Sequence, residues 1–411
     1  MPSITNIKAR KILNSRGEWT LEVLAESGDF QAKVGIPSGA SVGKYEAKTI
    51  EIERAVKNVN EIIAPKLKGQ DPTKQKEIDN LLIELDTTED KSNLGANAIV
   101  GASMAVCRLG ASIQNIPLWS YINQLTNLSI NQSFNLTELR PRSVLPRGCF
   151  NIINGGKHAG GELAIQEFMI VPQYESFKKN LEIAVETYHR LKKLLKEKIG
   201  RIATNIGDEG GFVPPISSTI EALEFLKEAI EKNTKIILDC AATHFYKNGE
   251  YYLEGAIFTK EGLLSFYSDL IKKYPIVGLE DPFAEDDFEG WEKANSKLQT
   301  INYKLLIIGD DLTVTNPKRI KMAKEKNLCN GVIIKINQIG TISKAIEAAK
   351  LAKFFGWKII VSHRSGETND DFVADFAVGI LADFVKFGAP ARGERVAKYN
   401  RLLEIEEEIE G

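Results

Sequence analysis

Apolar and polar positions follow two rhythms along this chain. In "TLEVLAES" (residues 20–27) and "FQAKVGIP" (residues 30–37) they alternate, the period of a strand with one face in a core and one in water. In "EIERAVKNVNEIIAPKL" (51–67) and "ANAIVGASMAVCRLGASI" (96–113) apolar residues recur at helical spacing. The stretch "NQLTNLSINQSFNLTELRPRS" (123–143) is rich in Asn and Ser and carries neither period. These patterns predict an α+β domain over residues 1–135 and a second domain over 136–411.

From Phe150 onward the rhythm changes. Eight short apolar runs recur: "FNII", "FMIV", "KIIL", "PIVGL", "LLIIG", "GVIIK", "KIIV" and "DFVK". Amphipathic segments such as "EGLLSFYSDLIKKY", "NPKRIKMAKEKN", "TISKAIEAAKLAKFFG" and "NDDFVADFAVGIL" follow most of them. Several carry end signals: Ser218 with Glu221 as a capping box, Asn316 before Pro317, and Gly356 as a stop. Strands alternating with helices imply parallel pairing through crossover helices, and eight repeats over this length fit a closed β/α barrel, so the fold class is α/β. An open doubly wound sheet usually carries a glycine-rich phosphate turn after its first strand, and none is convincing here.

Candidate chemistry sits at the ends of the runs. The first polar residues there are Asp239, Glu280 (then Asp281), Asp310 (then Asp311), Lys335, His363 (then Arg364 and Ser365) and Lys386. Strand C-terminal ends of a β/α barrel open on one face, where active sites lie. Taken singly, a strand-end aspartate commonly caps the next helix, and a lysine usually reaches for solvent. Six such residues aimed at one mouth favour function. Lys335 is the sharpest case, because an ammonium buried within an apolar strand costs more than that strand supplies. At a strand's end it would face the mouth, with Ile334 and Ile336 packed into the barrel wall.

Asp239, Glu280 and Asp310 form an all-oxygen set suited to a hard divalent cation of the magnesium type. Lysines beside such an ion are expected to have lowered pKa values and to serve as a general base. A base with magnesium suggests removal of a proton next to a carboxylate, the metal holding the enolate-like charge. Acid candidates are Asp208 and Glu209 in "NIGDEGGFVPP" and Glu167 in "AIQEFMIVP". "NGGKHAGGE", with His158, has the glycine pattern of a mobile loop, and "PSGASVGKYE" that of a lid over the mouth, although both patterns equally suit an ordinary flexible loop.

Composition adds limits. The 53 Lys and Arg against 55 Asp and Glu leave a net charge of −2, which argues against an obligate nucleic-acid or membrane-surface partner. The start "MPSITNIKARKIL" has no apolar signal core, and no run approaches the roughly 20 apolar residues of a membrane span. Cys107, Cys149, Cys240 and Cys329 have no paired spacing and read as reduced thiols of a cytoplasmic protein.

The strings "SGASVG", "NIINGGKHAGGELAIQEFMIVP", "GDEGGFVP", "LEDPF", "GDDLTVTNP", "KINQIGT", "VSHRSGET" and "KFGAPARGERVAKYNRLLEIEEE" resemble the enolase (phosphopyruvate hydratase) family, in order from about Ile12 to Ile409. A Lys or His base with magnesium is that superfamily's pattern, so the chemistry above is not independent of the resemblance. The resemblance implies reversible dehydration of 2-phosphoglycerate to phosphoenolpyruvate, a step of glycolysis and gluconeogenesis. It implies two Mg2+ ions, the first on Asp239, Glu280 and Asp310 and the second on Ser41. Lys335 would be the base and Glu209 the acid, with Glu167 assisting, while Lys386 would stabilise the charged intermediate. Arg364 and Ser365 would bind phosphate, and Gln166, His158 and His363 would complete the pocket. It also implies an α+β first domain, a barrel opening with two antiparallel strands, and a homodimer or larger ring. Asn14, Glu18, Trp19, Val42, Phe387 and the "LPRGCFN" stretch depart from the family's usual residues. The Lys-x-Lys pair that racemases and cycloisomerases of the superfamily carry is missing from "AIQEFMIV".

Overall fold

The computed structural model describes residues 2–39, 43–128 and 145–410, with only the backbone of His158. The expected domain boundary, Ser41 and Val42 lie outside the described residues.

Strands β1 (Asn6–Leu13), β2 (Trp19–Ser27) and β3 (Phe30–Gly35) form an antiparallel sheet in that order. The alternation in β2 and β3 buries Leu21, Val23, Ala25, Ala32 and Val34 on one face. Strand β1 is weaker in sequence, since only Ile7 and Ala9 turn inward between exposed Lys8, Arg10 and Lys11. Asn14 shapes the β1–β2 turn: its Oδ1 accepts the Arg16 and Glu18 amides at 2.9 and 3.0 Å, and its Nδ2 donates to Ser38 at 2.8 Å. Residues 52–67 form the expected helix, with a π turn at Val59–Ile63 that keeps both of those residues buried.

Helix Ala96–Gln114 covers the sheet. At Gly101 a Cβ would stand 2.6 Å from a Val23 methyl, so glycine sets how closely helix and sheet approach. By length and composition alone this helix is long and apolar enough to cross a membrane. Its apolar character instead serves a core, for 83% of its most apolar window is buried inside the protein.

All eight predicted runs become strands of one closed barrel: β4 (Arg147–Asn154), β5 (Glu167–Pro172), β6 (Thr234–Asp239), then, after a small ribbon of β7 (Tyr246–Lys247), β8 (Glu250–Leu253) and β9 (Ala256–Phe258), β10 (Ile276–Glu280), β11 (Leu306–Gly309), β12 (Gly331–Ile334), β13 (Lys358–Ser362) and β14 (Phe384–Lys386). The ribbon accounts for the long interval between Asp239 and Glu280. Strand β5 alone runs against both neighbours, β4 and β6, while the other barrel pairs are parallel. The reversal brings the start of β5, with Gln166 and Glu167, to the face where the other strands end.

Cys149, Met169, Val171, Ile237, Ile308, Ile333 and Ile360 fill the barrel interior as a packed layer. Ile333, not Ile334, therefore points inward. Ile334 packs in the larger cluster between sheet and helices, and Ile336 opens the short helix Ile336–Ile339. Phe387 is fully buried, with its ring centroid 6.0 Å from that of Tyr399.

The first domain also completes a barrel helix. Helix Ile342–Phe354 has Thr341 as its own cap on the Lys344 amide. Its Ile342 amide donates to Ser103 Oγ at 3.0 Å and its Ser343 amide to Asp79 Oδ2 at 2.8 Å. Asp79 Oδ1 also accepts from Ser103 Oγ at 2.6 Å and Gln75 Nε2 at 2.9 Å. Burial pushes the Asp79 carboxyl up, and these donors only partly offset it. Asp79→Ala leaves buried donors unpaired, so a loss of about 2–4 kcal/mol is expected by urea unfolding, with a smaller loss for Asp79→Asn.

Candidate active site

The strand ends meet around an open cavity with about 440 Å³ of empty space. Ten of the expected site residues line it: Gln166, Glu167, Glu209, Asp239, Asp310, Lys335, His363, Arg364, Ser365 and Lys386. Glu280 is not among the lining residues; it is 1% exposed and joins them through Lys386. Ser41 and the side chain of His158 lie outside the described residues.

Register explains the carboxylates. Glu167 pairs with Asp239 across β5 and β6, and Asp239 with Glu280 across β6 and β10. The Lys386 ammonium stands between them, 2.8 Å from Asp239 Oδ2, 2.9 Å from Glu280 and 3.2 Å from Glu167 Oε2. Gln166 Nε2 donates to Asp239 Oδ2 at 3.2 Å, and its buried Oε1 has no hydrogen-bond partner among the described residues. Asp310 takes the Lys335 ammonium on Oδ2 and Gln338 Nε2 at 2.9 Å on Oδ1.

Four buried carboxylates thus face two ammonium groups, an excess of two negative charges. Burial pushes the Glu280 carboxyl well up, and Asp239 adds to it. An all-oxygen donor set with that excess fits a divalent cation. Burial also raises Asp310, but Lys335 and Lys386 outweigh it and hold that group below the usual carboxylate value.

The lysines depart from expectation. Burial pulls Lys335 down, yet the Asp310 charge more than offsets it, so the ammonium is held above its ordinary value. Burial pulls Lys386 down as well, but Asp239, Glu167 and Glu280 outweigh it and hold that ammonium well above its ordinary value. The expected lowering presupposed carboxylates already neutralised by metal, and here each lysine answers their charge itself. Lys335 follows the last residue of β12; its amide donates to Thr315 Oγ1 at 2.9 Å, and that hydroxyl donates to Gln338 at 2.7 Å.

Glu209 faces the cavity from a turn and is 2% exposed, while Asp208 points outward toward Arg16 at 3.6 Å. Asn151 Nδ2 donates to Glu209 Oε2 at 3.1 Å, and His363 Nε2 lies 3.1 Å from the same oxygen. Burial lowers His363 to about 3, Arg395 adding to the effect and Glu209 opposing it. Arg364 donates to Glu46 at 2.9 and 3.3 Å and to Asn337 at 3.2 Å.

Other residues at the site were not picked out as site residues from sequence. Asp281 and Asp311 are the second acids of their doublets, and ligand atoms of Asp281, Asp310 and Asp311 lie within 4.8 Å of one another. Asp281 already accepts the Asp310 and Asp311 amides at 2.9 and 2.8 Å, so its oxygens first lock the turn. Burial, with Asp310 beside it, pushes Asp311 up to about 7. His244, one of four histidines, lines the cavity from the turn after Asp239 and could have been weighed from the sequence. Glu46 and Gln338 gave no local signal, because only the tertiary fold brings them to Arg364 and Asp310.

A closed β/α barrel with one reversed strand and a carboxylate and lysine cage at its mouth places the chain among barrel proteins whose active face could hold a divalent cation beside acid–base groups. Residues 4–122 match the family profile "Enolase, N-terminal domain" and residues 142–411 match "Enolase, C-terminal TIM barrel domain". Enolase from Methanopyrus kandleri is 46% identical over 100% of this chain and 97% of its own length. Enolase B from Dictyostelium discoideum is 48% identical over 99% and 95%, and enolase from Mastigamoeba balamuthi 46% over 100% and 96%. The chain belongs to the enolase family, the hydro-lyases called phosphopyruvate hydratases.

The neutral His363 ring has a consequence for stability. Its folded value near 3 lies below the roughly 6.5 of a free ring, so between these values the unfolded chain binds the extra proton. Stability therefore falls as pH drops below about 6.5, by on the order of 2–3 kcal/mol at pH 4.5 from this ring alone. His363→Gln is expected to remove that share of the slope when unfolding free energies are compared from pH 7 to pH 4.5.

Proposed function

We propose that this chain carries out the reversible, magnesium-dependent dehydration of 2-phosphoglycerate to phosphoenolpyruvate, with the residue roles that follow. Family membership supplies the reaction. The observation that supports the roles is that Lys335, just past the end of β12, and the buried Glu209, from a separate turn, line one cavity beside the carboxylate cage.

Asp239, Glu280 and Asp310 would hold a first Mg2+, and Ser41 would serve a second. When bound, the cation supplies charge that offsets the developing carboxylate dianion and relieves the excess that keeps Lys335 protonated. Lys335 takes the proton from C2 and returns it in the reverse direction. Lys386 stabilises the negative charge that builds on the substrate carboxylate. Glu209 hands a proton to the departing C3 hydroxyl, with Glu167 beside it, so the leaving group departs as water. Arg364 and Ser365 bind the phosphate, a task suited to a planar guanidinium. Gln166, His158 and His363 line the substrate.

The protein is proposed to act in the cytoplasm as a homodimer. Leu13 and Trp19, paired across β1 and β2, are 56% and 55% exposed, an apolar pair suited to a subunit contact.

Turnover followed by phosphoenolpyruvate formation should need Mg2+ and stop with chelator. Lys335→Ala is expected to lower kcat by roughly 10³-fold or more and to abolish exchange of the C2 proton with deuterated water. Glu209→Gln should lose dehydration to a similar degree while keeping C2 exchange, since proton abstraction precedes its step. Loss of exchange in Glu209→Gln, or its survival in Lys335→Ala, overturns the assignment of base and acid.

A further inference from the structure

Arg395 is fully buried, and none of the roles above uses it. It reaches from helix Gly393–Glu410 into the back of the site. Its Nη1 lies 2.7 Å from His363 Nδ1 and donates to the Arg364 carbonyl at 2.6 Å. Its Nη2 donates to the carbonyls of Ser365 at 2.6 Å and Asp208 at 3.0 Å. One guanidinium thus joins the segment after β13 to the turn that carries Glu209.

The chemistry of the short contact has one solution. A guanidinium has only donors and stays charged in proteins. His363 Nδ1 must then present its lone pair, and a neutral imidazole keeps its single proton on the other nitrogen. Burial and the Arg395 charge both disfavour the imidazolium, consistent with a neutral ring. The Nε2 donor so defined is buried, stands 3.1 Å from Glu209 Oε2 without hydrogen-bond alignment, and has no other partner among the described residues. His363, Glu209 and Arg395 converge at one further point. At Gly388, whose φ is +85°, a Cβ would lie 2.7 Å from the Glu209 carbonyl oxygen, 2.9 Å from His363 Cε1 and 3.1 Å from Arg395 Cδ. A glycine is required there for the three to close on one another.

We infer that Arg395 is a positioning residue that fixes His363 as the Nε2–H tautomer and holds the Glu209 turn against it. A neutral N–H donor and a carboxyl group then face the same substrate oxygen. The inference rests on the reading that Glu209 serves the leaving hydroxyl, but the tautomer itself can be read without turnover.

The test is ¹⁵N NMR of the full chain labelled at histidine, with His363→Gln used to pick out the ring among the four histidines. At pH 7 the wild type should show Nδ1 unprotonated and Nε2 protonated. In Arg395→Gln the amide can donate or accept, so the Nδ1–H form should appear, with kcat lowered roughly 10–100-fold. Arg395→Lys, which still only donates, should keep the tautomer and recover most of kcat. A wild-type ring protonated on Nδ1 overturns the inference, and so does Arg395→Gln that loses kcat while keeping the Nε2–H form. If the wild type shows the Nε2–H form but does not turn over 2-phosphoglycerate, the functional reading fails and the tautomer assignment stands.

Discussion

Negative charge that burial cannot tolerate and the fold cannot discard governs the mouth of this barrel. Glu167, Asp239 and Glu280 sit side by side because adjacent strands place them in register, and each is no more than 3% exposed. Like charges in that setting destabilise one another unless cations intervene, and Lys386 is the cation within 3.2 Å of all three. Asp310 repeats the arrangement with Lys335. The rest of the site is arranged around this excess. Strand β5 must run backwards to deliver Glu167, the interior layer below must be dry, and Lys335 must leave its strand just where the apolar run ends. Replacing the cage with apolar residues would ease folding, which is why its retention points to chemistry.

Much of this was readable from the order of residues. The eight apolar runs were legible because parallel barrel strands are buried on both faces, and the polar residue that ends each run stands out against such a background. Strand β1 was missed because its inward face offers only Ile7 and Ala9, too little contrast for a period of two. Glu167 fell outside the tally of strand ends because its strand is reversed, and nothing in "AIQEFMIVP" announces direction. The lowered lysine pKa values expected from sequence presuppose a cation beside them, whereas the carboxylate neighbours that hold both lysines above their ordinary value are known only once strands are placed. Asp281 and Asp311 were visible as doublets, but that Asp281 replaces Glu280 in the cavity lining and that Asp310 and Asp311 both line it depends on a turn in which Asp281 has a φ of +41°.

The two domains share the site as well as a seam. Glu46 ends the stretch read as a lid, and its carboxylate pairs with Arg364, both side chains being almost fully buried. Gln338 donates to the same carboxylate at 3.3 Å and to Asp310 at 2.9 Å. A path of direct contacts therefore runs from Arg364 through Glu46 and Gln338 to Asp310 and Lys335. Nearby, Tyr45 donates to Asp286 at 2.8 Å while the Arg319 guanidinium lies 3.7 Å from its ring centroid, which fixes this segment on the barrel.

That path bears on how the site can be both stable and reactive. Arg364 buried alone would be costly, and Glu46 provides the opposite charge that burial demands. The same pairing leaves Arg364 oriented by two domains at once, so any shift of the first domain moves the guanidinium relative to the carboxylate cage. Geometry of this kind is lost with displacements of about 1 Å. The caps that Asp79 and Ser103 place on helix Ile342–Phe354 resist such a shift from the far side of the same interface. The first domain thus acts as part of the catalytic scaffold, because it supplies the carboxylate that pairs with Arg364 and the acceptors for the first amides of a barrel helix.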